Sequence, residues 1–408
     1  MYSRNKIASI DKIYIWTFII ALAVFIYYTF ESYYIGELSR YFGADIADSS
    51  ENFKSYSRLI MIVTSLLFFH RKNSISHLTF LGKTLFVFSI YILFSISLQK
   101  NFTNLIYYVS TYTMASLWIY IYLFFYTISL RYDIDRFVPK FIITFALISA
   151  ALFIKNYVMN NAIGHTDWHY IESYFLITLI PTIILLKNKY KYSLILLVII
   201  CVIISGKRSG SITCATIIVL YTLMIGRNLS KKIQTIFWGI ITLFVLYFAL
   251  YHFIGDQIDF LIERIVNIKE DDGSGRGEMY SVLYNLIIDN QDIITFIFGK
   301  GYNEVINSKF SNGFSAHNEF IETAYDFGIL GFLIFSTIFW AIFSLYNKTR
   351  IKTHKVALFI SLAIFLIFSF TSHTILYTTN IIFLCMSWGY FDAKNIINRR
   401  KIVKPIVL

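Results

Sequence analysis

Apolar residues in this chain come in long runs separated by short polar breaks, and the longer runs reach the length of about 20 residues that a helix needs to cross a bilayer. Runs near residues 13–30, 57–70, 78–98, 105–130, 141–157, 171–186, 192–205, 211–226, 235–254, 318–346, 356–373 and 375–391 each predict a membrane-spanning helix, about twelve in all. The spacing predicts two further helices of another kind within residues 255–317. Ile258, Leu261, Ile262, Ile265 and Val266 recur on one helical face, and so do Met279, Val282, Leu283, Leu286 and Ile287. Such amphipathic helices suit a membrane surface or the top of a bundle.

Composition agrees with the pattern. The chain is 57% hydrophobic and 19% aromatic, with 3 prolines in 408 residues and a mean hydropathy of +0.62, which excludes a soluble domain. The expected fold is an all-α integral membrane protein, a single polytopic domain over residues 1–408. Ala21-Leu22-Ala23 has the small residues of a signal cleavage site but lies inside the first apolar run rather than after it, so that run reads as an uncleaved span. Cys201, Cys214 and Cys385 fall within apolar runs and read as small buried hydrophobes, with no disulfide or zinc framework.

The net charge of +12 acquires meaning from its distribution. With the N-terminus inside, alternate loops gather 24 of the 36 basic residues with only four acids, Asp11, Asp133, Asp135 and Asp392. The opposite face is left with 12 basic and 20 acidic residues. This is the asymmetry of a multi-pass protein with both termini cytoplasmic, and it implies no nucleic-acid partner.

Three outer loops are long enough to hold a site. Residues 31–56 carry Glu31, Glu37, Asp45, Asp48 and Glu51 and read as a solvated acidic loop. Residues 158–170 set His165, Asp167 and His169 at intervals compatible with metal ligation, but without a second pair nearby; Trp168 and His169 fit an interfacial or sugar-stacking surface better. Residues 255–317 hold the most chemistry. Arg276, in Gly275-Arg276-Gly277, is placed just ahead of the second amphipathic helix. It reads either as a phosphate ligand or as a solvated arginine paired with Asp271 or Asp272.

A second cationic spot is the turn Ser205-Gly206-Lys207-Arg208-Ser209-Gly210-Ser211, on the face where short-loop cations are disfavoured. Its glycine spacing is not that of a nucleotide-binding loop. Either the turn aims amides and Arg208 at an anion near the bilayer surface, or Lys207 and Arg208 snorkel to lipid headgroups. The third element runs from Gly299-Lys300-Gly301-Tyr302 through Ser315-Ala316-His317-Asn318-Glu319-Phe320 to Gly328-Ile329-Leu330-Gly331-Phe332. His317 and Asn318 stand at a predicted helix start. Glu319 suits the helix dipole there, whereas Glu322 and Asp326 run deeper into an apolar span, where ionisable groups are costly and usually functional. A histidine at this place can exchange a proton near neutral pH.

In their order and shared face these motifs resemble the bacterial O-antigen polymerase and O-antigen ligase superfamily, most densely over residues 190–335. The resemblance implies an inner-membrane glycosyltransferase with a GT-C-like helical bundle and a large periplasmic loop, here residues 255–317. It implies an undecaprenyl-diphosphate-linked oligosaccharide as donor, an active site facing the periplasm, and no metal or other cofactor. The family's turn arginine maps to Arg208, its loop arginine to Arg276 and its histidine to His317. Where Lys207 stands the family commonly has serine. Lys207, Tyr302, Asn318 and Glu322 are expected to contact substrate. The leading expectation is a repeat-unit polymerase, with a flippase and a chain-length regulator as candidate partners beside membrane lipids. The alternatives are a ligase with a lipid A core or protein acceptor and, in another class, a lipid-linked oligosaccharide flippase or transporter. Charge-free spans with polar groups in outer loops favour surface chemistry over transport.

Overall fold

The computed structural model describes residues 45–70, 78–99, 105–132, 134–162, 172–225, 272–289, 292–311, 315–372 and 381–403, with isolated positions between 15 and 22 and between 230 and 267. Among these residues there is helix and no strand. The helices are α1 (Asp45–His70), α2 (Phe80–Ser97), α3 (Leu105–Arg131), α4 (Phe137–Ala162), α5 (Glu172–Ile183), α6 (Asn188–Ile204), α7 (Arg208–Ile225), α8 (Asp272–Ile288), α9 (Ile293–Phe298), α10 (Glu304–Asn307), α11 (Glu319–Lys348), α12 (Lys352–Thr371) and α13 (Ile382–Val403). Five are long and apolar enough to cross a membrane: α2, α3, the Phe137–Lys155 part of α4, α11 and α12. The expected spans at 13–30 and 235–254 lie largely outside the described residues, as do residues 31–44 and the motif from His165 to His169.

One compact unit comprises residues 1–132 and 376–408. Its axis is α3, apolar on every side and buried from Ala115 to Ser129, with α1, α2 and α13 packed around it. A helix without a polar face belongs in such a place. Gly389 lets α13 approach closely, since a Cβ there would lie 2.5 Å from the Tyr122 carbonyl oxygen. Beside it the buried Asp392 carboxylate accepts hydrogen bonds from the hydroxyls of Tyr122 (2.6 Å) and Thr79, and Thr79 also caps α2 through the Gly82 amide.

The other unit, residues 133–375, carries the Lys207–Arg208 turn, Arg276 and the segment from Gly299 to Phe332. The turns at 184–187, 205–207 and 349–351 make antiparallel neighbours of α5 and α6, α6 and α7, and α11 and α12. One end of this bundle therefore gathers the starts of α5, α7 and α11 with the last turn of α12. Tyr174 of α5 packs edge-on against Phe368 of α12 at 5.0 Å, and Phe320 of α11 lies 4.7 Å from Phe370.

The structure departs from the expected elements in three places. Residues 45–56 are helical rather than loop, because α1 continues its apolar stretch outward through acids and serines that favour a helix start. Arg276 lies inside α8, which begins at Asp272, so the glycines flanking it do not delay the helix. Most consequential, residues 318–346 are not one straight span. Gly328 has φ 67° and ψ −174°, a break inside α11. A straight helix would separate Phe320 from Phe339 by about 28 Å, yet their rings are 5.5 Å apart, and Phe335 lies 5.4 Å from Phe320. Residues 319–327 thus fold back along the span, which proper begins at Ile329 and has about 20 residues, enough to cross.

Candidate functional site

The reversal at Gly328 is held by a second glycine. A Cβ on Gly328 would sit 2.4 Å from the Gly299 nitrogen, and one on Gly299 would sit 2.1 Å from the Asp326 carbonyl oxygen. Only two glycines with positive φ can bring these backbones together, Gly299 at 82° and Gly328 at 67°. The segment 299–301 is then bonded to the end of the short helix, Lys300 N to Tyr325 O (3.2 Å) and Gly301 N to Asp326 O (2.9 Å). Asp326, 1% exposed, accepts the Val305 amide at 3.0 Å through Oδ1. These bonds fix the loop that precedes the histidine junction.

At that junction Asn318 caps α11, its side-chain oxygen accepting from the amides of Phe320 (3.1 Å) and Ile321 (3.3 Å). The buried Glu322 carboxylate reaches back to accept the Ala316 amide. His317 stands between these bonds, half-buried, with φ 53°. A non-glycine residue in the left-handed region is strained, and such strain recurs where a side chain is presented for use.

The cationic turn is compact. Gly206 has φ 60°, and Ser205 donates its hydroxyl to the Val202 carbonyl (2.7 Å) while accepting from the Lys207 amide (3.4 Å). Arg208 is the first residue of α7 and is half-buried. Tyr174 supports the turn: its hydroxyl bonds Ser209 at 2.6 Å, and its ring lies 6.0 Å from the Lys207 ammonium.

Arg276 donates to the Thr371 carbonyl at 3.4 Å, at the C-terminal end of α12, where helix carbonyls are unpaired and the dipole favours a cation. One turn further along α8, burial pushes the Tyr280 phenol above its ordinary pKa, with the Arg276 guanidinium opposing the rise and the Glu322 carboxylate adding to it. Tyr280 is therefore within electrostatic reach of both.

The last turn of α12 is thus the common neighbour of three motifs. Phe368 receives Tyr174, which holds the Lys207–Arg208 turn; Thr371 receives Arg276; Phe370 receives the start of α11, immediately after His317 and Asn318. Arg276 joins the junction a second time through Tyr280 and Glu322. The structure gives the remaining expected site residues internal roles. Tyr302 is fully buried with its ring 6.1 Å from Phe327, Asn318 uses its side-chain oxygen as a cap, and Glu322 is buried against the Ala316 amide. Among the described residues no three His, Cys, Asp or Glu side chains are grouped to hold a metal ion.

Sequence reasoning missed Tyr174, Tyr280 and Thr371. Tyr280 has a local signal, four residues after Arg276 and so on the same helix face. Tyr174 and Thr371 have none, because their roles arise from helices distant in sequence.

Fold and site together define a helical membrane protein whose cationic and histidine motifs meet at one end of a bundle. Residues 193–336 match the model of a family described as O-antigen ligase, and this match supports the O-antigen polymerase/ligase superfamily, an enzyme class of surface-polysaccharide synthesis. No curated protein matches the chain.

Proposed function

We propose that the protein is a repeat-unit polymerase of surface polysaccharide, built as a GT-C-like bundle of about twelve spans in a bacterial inner membrane with its site facing the periplasm. The observation that carries this reading is the convergence of Arg208, Arg276 and His317 on the last turn of α12. The donor is a glycan on undecaprenyl diphosphate. A hydroxyl oxygen of the incoming lipid-linked repeat unit attacks the anomeric carbon of the donor glycan; the bond from that carbon to the diphosphate oxygen breaks, and the lipid diphosphate departs with the bonding pair. The hydroxyl proton passes to His317, which is placed to accept it or to orient the hydroxyl. Charge growing on the leaving diphosphate is met by the fixed guanidiniums of Arg208 and Arg276, which supply electrostatic stabilisation without reorganisation.

Ligation is the second reading, favoured by the description of the matched family. The same donor would then pass its glycan to a lipid A core or to a protein. Deleting the gene and resolving the lipopolysaccharide on a gel separates the two. Core bearing a single repeat is the expected result for a polymerase; bare core with polymer accumulating on its carrier lipid would replace that reading with ligation. In the deletion strain, Arg208→Ala and Arg276→Ala should each abolish long chains while membrane levels of the protein persist. Normal chain length in either variant would sink the diphosphate role.

A further inference from the structure

Lys300, the cation between Gly299 and Gly301, takes no part in the convergence at α12. It lines a small, partly open cavity of about 40 Å³ walled by Leu286, Phe296, Ile329 and Tyr325. Its ammonium donates to the Tyr325 hydroxyl at 3.0 Å and lies 4.5 Å from that ring. Among the described residues no carboxylate pairs with it. An ammonium carries three donors, so two remain for a ligand. The Lys300 backbone is tied to Tyr325 and its neighbour Gly301 to Asp326, so the charge is held in place.

The walls of this cavity open onto an apolar surface. Ile293 and Ile294 of α9 are 70% and 65% exposed, Ile288 of α8 is 57%, and Leu333, on the span below Ile329, is 54%. In a protein that crosses a membrane, a face continuous with a spanning helix is covered by lipid tails. A cation without an acid partner in such a setting calls for an anion that brings its own hydrocarbon.

We propose that this cavity binds an anionic phospholipid, its phosphate on the Lys300 ammonium and the upper part of a tail against Leu286, Phe296 and Ile329. The contact is a charge-assisted hydrogen bond to a point charge, and the Tyr325 hydroxyl, which accepts from Lys300, can donate its own proton to a second phosphate oxygen. Arg276 lies about ten residues, roughly 15 Å, back along α8 from Leu286.

The test uses the purified full-length protein in detergent, titrated with phosphatidylglycerol and read by native mass spectrometry. Wild type should retain one phosphatidylglycerol more than Lys300→Gln, with apparent affinity in the variant lower by about tenfold. Lys300→Arg should restore retention. Ala324 also lines the cavity, so Ala324→Phe, which keeps the charge but fills the space, should lose retention, and this variant guards against an effect of misfolding at position 300. Equal retention by wild type and Lys300→Gln would overturn the proposal. So would equal binding of zwitterionic phosphatidylcholine, or displacement of the lipid by inorganic phosphate alone, which would make the site one for a free anion.

Discussion

Each unit of the protein buries an aspartate, and the two are used differently. In the unit of residues 1–132 and 376–408, Asp392 sits between helices and takes hydroxyl bonds from Tyr122 and Thr79, so a carboxylate joins three helices through side chains. In the unit of residues 133–375, Asp326 accepts the Val305 backbone amide through Oδ1, and Oδ2 has no hydrogen-bond partner among the described residues. The first arrangement fastens helix to helix. The second fastens a loop to a helix, and that loop leads to the His317 junction. A buried carboxyl tolerated for packing and one tolerated for positioning are thus told apart by what they bond: side chains of neighbouring helices, or the backbone of a functional segment.

The largest expected effect comes from breaking the positioning unit at its glycine clasp. Gly328→Val adds atoms where a Cβ is already 2.4 Å from backbone and forces a branched residue to a φ of 67°. It should cost at least about 3 kcal/mol, read as a lowered melting temperature of the detergent-solubilised protein, and it should abolish long chains even at permissive temperature. A variant that melts and polymerises like wild type would show that the reversal at Gly328 is dispensable.

Next come the two aspartates. Asp392→Asn replaces a carboxyl that accepts two hydroxyls and should destabilise by about 2 kcal/mol, with chain length unchanged in the protein that folds. Asp326→Asn keeps an oxygen for the Val305 amide and should cost only about 1 kcal/mol, but it should shorten chains because the loop ahead of His317 loosens. Thermal melting and gel profiles of both variants, taken together, check the contrast. Equal effects on chain length would erase the distinction between packing and positioning.

What could be read in advance divides along the same line. Helices α2, α3, α4 and α12 are apolar over nearly their whole length, and hydropathy locates each of them. The turn at 205–208 was equally legible, since glycine and two adjacent cations interrupt an apolar stretch only where the chain reverses at the bilayer surface. The reversal at Gly328 was hidden because apolar residues continue on both sides of it, and hydropathy does not register a change of direction. The conjunction of Gly299 with Gly328 is a contact between backbones 29 residues apart in sequence, and Gly299 and Gly328 look like any other glycines until it is formed. The roles of Tyr174, Thr371 and Lys300 were hidden for a related reason: each is defined by a partner on an element distant in sequence.

The smallest effect tests how the lipid-facing edge of the positioning unit is held. Asp292 caps α9, its carboxylate accepting from the Ile294 and Thr295 amides at 3.1 and 3.3 Å and from the Thr295 hydroxyl at 2.5 Å. The Thr295 hydroxyl bond, followed by the Ile294 amide, holds its pKa below the ordinary value of 3.8. Because the folded value is the depressed one, the cap stabilises α9 fully above the unfolded pKa and is lost as pH falls through the folded value. Asp292 is fully exposed, so solvent and salt screen the effect and it stays local. Hydrogen exchange corrected for intrinsic rates should show the amides of Ile293–Phe298 protected at about pH 5 and less protected at about pH 3, whereas Asp292→Ala should be insensitive to that change. If protection in wild type were the same at both values, α9 would be held by its apolar contacts alone, and Phe296 would keep its place in the Lys300 cavity without the cap.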